Sequence, residues 1–88
     1  MAIMINENSN ICIGNGAQAK ETFNNGGIAI GNLTSALGQN SIAIGSSNGS
    51  VTTKTTADGN YSIAIGAGVV ASTVNGLGEI KIGNSQYN

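Results

Sequence analysis

Asn40-Ser41-Ile42-Ala43-Ile44-Gly45 contains a four-residue phrase that decides how this 88-residue chain folds: isoleucine, a spacer, isoleucine, glycine. Four more copies are present: Ile11-Cys12-Ile13-Gly14, Ile28-Ala29-Ile30-Gly31, Ile63-Ala64-Ile65-Gly66 and Ile80-Lys81-Ile82-Gly83. Side chains alternate between the two faces of a strand, so each phrase puts its isoleucines on one face and its spacer on the other. Isoleucine is β-branched and suits a strand, and the closing glycine permits a tight turn. One copy is too short to fold alone. Stacked copies share one continuous core, which is the logic of a solenoid.

A weaker second element follows the phrase. Ala17-Gln18-Ala19, Thr34-Ser35-Ala36 and Val69-Val70-Ala71 each begin three residues past a phrase glycine and place small residues on one face. One coil then consists of two short strands and two turns. The phrases begin at Ile11, Ile28, Ile42, Ile63 and Ile80, at intervals of 17, 14, 21 and 17 residues. Fourteen reads as the bare coil. The excess falls in three insertions, Lys20 to Gly27, Asn48 to Asn60 and Ser72 to Gly78, which map to coil corners. The longest contains Thr52, Thr53, Lys54, Thr55, Thr56 and Asp58. It reads as a loop leaving the wall, with Asp58-Gly59 as a turn signal for a short hairpin, and as a candidate partner-binding loop.

Apolar bulk belongs inside by default, so the ten phrase isoleucines (Ile11, Ile13, Ile28, Ile30, Ile42, Ile44, Ile63, Ile65, Ile80 and Ile82) are expected to form the coil core. On the opposite face, Ala29, Ala43 and Ala64 are then expected to meet another surface closely. Cys12 and Lys81 relax the rule at the two ends. Ile3 and Ile5 lie eight residues before Ile11 and Ile13, the same spacing that separates Thr34 and Ala36 from Ile42 and Ile44. That predicts a second-strand slot in a half coil, with residues 1–9 as an N-terminal cap or anchor strand and 10–88 as the repeat domain.

Composition narrows the function. Phe23, Tyr61 and Tyr87 are the only aromatics, and the net charge is −1, with no histidine. A basic stripe for nucleic acid is missing, and no run of about 20 apolar residues suggests membrane insertion. One cysteine cannot close an internal bridge, and a zinc site lacks ligands. So small a scaffold therefore points to oligomerisation. Acid–base pairs, an activated thiol and a phosphate loop are all lacking, so neither catalysis nor a cofactor is expected.

Asn40-Ser41-Ile42-Ala43-Ile44-Gly45, preceded by Thr34-Ser35-Ala36-Leu37-Gly38, resembles the head repeat of trimeric autotransporter adhesins. Tyr61-Ser62-Ile63-Ala64-Ile65-Gly66 and Gly27-Ile28-Ala29-Ile30-Gly31 are similar to further copies. The resemblance covers roughly Asn10 to Gly83. It implies an all-β, left-handed parallel β-roll of about five coils, assembled as a homotrimer about a common axis, which makes the face of Ala29, Ala43 and Ala64 the expected trimer interface.

Members of that family are long, with a signal peptide, a stalk and a membrane anchor, none of which is legible here. Similar head repeats also occur in bacteriophage virion proteins, which need no export signal. The sequence reading is therefore a trimeric structural protein of a virion, decorating a capsid or forming part of a tail fibre, with capsid or tail protein as partner. An adhesin head at the bacterial cell surface is the alternative. Sugar-acyltransferase solenoids fit less well, because they need a six-residue period and a histidine. An ice-binding solenoid would need a flat face of repeated threonine, whereas the threonines here cluster in one insertion.

Overall fold

A computed structural model describes residues 3–5, 10–19, 26–46, 54–74 and 77–84. Twelve short strands follow in chain order: β1 (Ile3–Ile5), β2 (Ile11–Ile13), β3 (Gln18–Ala19), β4 (Ile28–Ile30), β5 (Ser35–Ala36), β6 (Ile42–Ser46), β7 (Thr56–Ala57), β8 (Ile63–Ala67), β9 (Val70–Ala71), β10 (Thr73–Val74), β11 (Leu77–Gly78) and β12 (Ile80–Asn84). No helix occurs among the described residues.

The five phrases form the larger wall. Strands β2, β4, β6, β8 and β12 stack in parallel with the phrases in register, so that Ile28 faces Ile42, Ala29 faces Ala43 and Ile30 faces Ile44. The same main-chain bond recurs on each rung: Ile11 N–H to Gly27 O at 2.8 Å, Ile28 N–H to Ser41 O at 2.9 Å, Ile42 N–H to Ser62 O at 3.0 Å. Strands β3, β5, β7 and β9 form the smaller wall, also parallel and in register. The chain is thus a parallel β-solenoid, but it makes about three turns rather than the expected five. Only between β3 and β9 are both walls paired from rung to rung.

The phrase glycines share one backbone shape, with φ of 127° at Gly31, 144° at Gly45 and 139° at Gly66. A Cβ on Gly31 would collide with the carbonyl of Gly45, and one on Gly45 with the carbonyl of Gly66. The column thus needs glycine for two separate reasons, a left-handed φ and a close backbone approach.

Three sequence expectations change here. Strand β1 lies antiparallel beside β2, with Ile3 opposite Ile13 and Ile5 opposite Ile11. The eight-residue spacing is therefore coincidental: Ile3 and Ile5 extend the phrase wall instead of occupying the smaller one. Second, Thr55 and Thr56 do not belong to a protruding loop. Ser35 N–H bonds Thr55 O at 2.9 Å, as Gln18 N–H bonds Thr34 O at 2.9 Å on the rung before, so Thr55-Thr56-Ala57 is the smaller wall's third rung. The extra residues of that coil lie before it, and Thr52 and Thr53 fall outside the described residues. Third, a hairpin does form in an insertion, but within Ser72 to Gly78, where β10 pairs antiparallel with β11.

The largest correction concerns the core. Ala29, Ala43 and Ala64 are completely buried, as are Ala36, Ala57 and Ala71 on the facing wall, with Cys12 beside them. The isoleucines of the first four phrases are only half-buried and belong to the outer face. The reason is volume. Two strands joined by tight corners leave a thin interior, and close packing admits alanine from both walls where isoleucine would leave no room.

Candidate self-association face

Two rows of isoleucine run along the outside of the larger wall. One holds Ile11, Ile28, Ile42, Ile63 and Ile80, the other Ile13, Ile30, Ile44, Ile65 and Ile82, each facing its counterpart on the next strand. Through the middle of the wall, neighbours above and below half-cover every isoleucine. At β12, the last described strand, Ile80 and Ile82 are 65% and 62% exposed. At the opposite end β1 lengthens the wall, with Ile3 opposite Ile13 and Ile5 opposite Ile11. An apolar face this long is more than the scattered exposed hydrophobics of an ordinary surface. Burying the open part of each isoleucine stabilises at about 25 cal/mol per Å² of apolar surface removed from water.

The face owes its regularity to the interior. Below the isoleucines the inward slots take small or hydroxylated side chains, and the polar ones are bonded. Ser41 Oγ donates to Gly38 O and Ser62 Oγ to Gly59 O, both at 2.6 Å, and Thr34 Oγ1 donates to Gly31 O at 3.2 Å. Asn10 Oδ1 accepts from Gly27 N–H at 2.8 Å. Thr55 Oγ1 lies 2.7 Å from both Ser46 O and Gly66 O and accepts from Gly68 N–H at 3.0 Å. These bonds satisfy carbonyls at the corners that water cannot reach. They fix the wall on which the isoleucines stand.

The inward slot changes character at the last rung. Lys81 stands opposite Ala64, and its Nζ lies 3.7 Å from Glu79 Oε1, which also accepts from Ser72 N–H at 3.0 Å. Charge thus closes the coil interior at this end, while the isoleucine rows continue across it.

The residues expected at the site divide cleanly. The alanine trimer interface of Ala29, Ala43 and Ala64 is ruled out for this fold, since all three are fully enclosed within one chain. The ten isoleucines expected as coil core make the apolar surface instead. Of the described residues of the candidate partner loop, Thr55 is buried, Thr56 sits in β7 with its Oγ1 3.2 Å from Lys54 O, Lys54 is half-buried and Asp58 is exposed. Ile3 and Ile5 are tied into the sheet by β1, with their side chains outside the described residues. Cys12 is a buried free thiol. Among the described residues no group of three or more His, Cys, Asp or Glu side chains is placed to hold a metal ion.

A readable signal for the inverted core was in the sequence. Both elements of each coil offer a face of small residues, Ala29 and Ala43 on one and Ala36 and Ala71 on the other. Two small faces fit each other; a wall of isoleucine against a wall of alanine leaves the rungs uneven.

Comparison with known proteins finds one similar family. Residues 24–48 and 53–68 match two copies of the YadA head domain repeat. No curated protein and no solved structure matches the chain. The matched family fits the adhesin alternative better than the virion reading, for which nothing was found. The two matched copies, together with the in-register parallel solenoid, fit a YadA-like head repeat domain.

Proposed function

We propose that the chain is a non-enzymatic adhesin head that works as a homotrimer at a bacterial cell surface, with its copies packed through their isoleucine rows. The observation that carries this is the pair of isoleucine rows lying outside a core already complete without them. A single chain gains little by holding ten isoleucines half in water. Three chains about a common axis bury those rows against one another, which gives an 88-residue domain the apolar core that its alanine interior lacks. The number three, and a left-handed coil, come from the family resemblance; the contact face comes from the chain itself. Catalysis is no part of this reading, because Cys12, the one thiol, is 1% exposed and out of reach of a substrate.

Light scattering behind size exclusion tests the proposal. The expected native mass is three times the 8.7 kDa chain. Ile44→Asn should dissociate the assembly while leaving its strand circular dichroism in place at low temperature. A folded wild-type chain at the mass of one copy would overturn the proposal.

A further inference from the structure

Of the described strands in the larger wall, β1 alone runs against the others. What it covers follows from β2. Ile11 N–H bonds Gly27 O at 2.8 Å and Ile13 O accepts from Gly31 N–H at 2.7 Å, so both isoleucines direct these groups toward the rung of β4. Main-chain polar groups alternate in direction along a strand, so the N–H and C=O of Cys12 point the other way, to the edge that β1 occupies. Met4 stands opposite Cys12. Residues so placed in an antiparallel ladder exchange both main-chain bonds. Without β1, this edge would be an open template for another strand.

The sequence of β1 imitates the phrase it covers. Ile3-Met4-Ile5 repeats the apolar spacing of Ile11-Cys12-Ile13, with the direction reversed. A second copy of this chain would offer the same pattern. Rotation by a two-fold axis along the normal of the wall reverses strand direction but keeps the outer face outside. It sets Cys12 opposite Cys12 and Ile11 opposite Ile13, the register that β1 adopts with Met4, Ile3 and Ile5. Such a contact is self-complementary and closes after two copies. The other end of the wall does not suit it. Pairing two β12 strands in that way would set Lys81 against Lys81 and draw both Lys81–Glu79 pairs out of water. At β2 the inward slot holds Cys12, small and apolar, and no charge opposes the contact there.

We propose that β1 is an autoinhibitory edge strand: it fills, from within the chain, the site through which two copies would otherwise pair end to end by β2. The partner it holds off is a second copy of this chain. The contact lies at the end of the wall and the isoleucine rows lie on its face, so pairing by β2 leaves the rows available for sideways assembly. The test uses the full chain. Met4→Pro removes the N–H that β1 gives to Cys12, and proline is rejected where a ladder bond is needed. The variant should keep its strand circular dichroism and show, by light scattering, twice the native mass of wild type measured alongside. Adding Cys12→Lys puts on the freed edge the kind of charge that β12 carries, and should return the mass to the wild-type value. Met4→Pro at the wild-type mass would overturn the proposal, because the freed edge would have drawn no second copy. So would loss of the strand signal, which would make β1 part of the folding core instead of a cover. A doubled mass that persists in the double variant would overturn it as well, by locating the contact elsewhere. Every mass is read as a ratio to wild type, so a wild type at the mass of one copy would sink the trimer and leave this test intact.

Discussion

Ala43 and Ile44 are neighbours on one strand, on one rung, with opposite fates. Ala43 is sealed between the two walls, and Ile44 stands half-open on the outer face. The same contrast holds at Ala29 against Ile30 and at Ala64 against Ile65. Apolarity alone would place isoleucine inside. Space decides otherwise, because a two-walled coil with short corners is too thin for large side chains, and alanine fills it from both sides. In a solenoid the smaller hydrophobe can therefore be the core and the larger one the surface offered to a partner.

The contrast is broken most severely from the inside. Ala43→Leu places a large side chain in a slot with no spare volume. Overpacking typically costs 1–3 kcal/mol, and domains hold only about 0.05–0.15 kcal/mol per residue in reserve. Loss of the strand signal in circular dichroism is the expected result, whereas Ile44→Asn on the next residue should cost the assembly but not the coil. A folded Ala43→Leu variant would mean the interior has slack, and the argument from volume would fail. Thr55→Val keeps the side chain's shape and removes a hydroxyl that accepts from Gly68 N–H and donates to one of two carbonyls, Ser46 O or Gly66 O. A urea titration should show a loss of about 1–3 kcal/mol, with native mass unchanged. No loss would show that the buried hydroxyls contribute little to the wall. The smallest effect is expected on the outer face of the smaller wall, where Val70 is 46% exposed. Val70→Thr should change stability by less than about 0.5 kcal/mol and leave the mass alone. A fall in mass there would reveal a second contact face and blur the distinction between the walls.

Much of the fold was legible because the phrase repeats with a closing glycine. That pattern correctly located all five strands of the larger wall, and the small residues after Gly14, Gly31 and Gly66 correctly located most of the smaller one. What the pattern left undetermined was which of two alternating faces points inward, since period-2 alternation is symmetric between them. The third rung of the smaller wall was missed for a different reason: Thr55 lies ten residues past Gly45 rather than three, so a fixed offset passes over it. The strand at Ile3–Ile5 was misplaced because an interval of eight residues records spacing but carries no direction, and β1 runs antiparallel.

Lys81 and Glu79 have a consequence for growth. A stack of identical rungs is an open template, and each exposed strand edge invites another chain to continue the pattern. The first four phrases hold Cys12, Ala29, Ala43 and Ala64 at the inward slot, all of which a following rung can cover without penalty. The fifth holds an ammonium group. A rung laid over it would have to take water from Lys81 and Glu79 together, and desolvating such a pair is costly. The phrase wall therefore offers its neighbours a small apolar inward slot on four rungs and a charged one on the fifth, while the isoleucine rows run across all five.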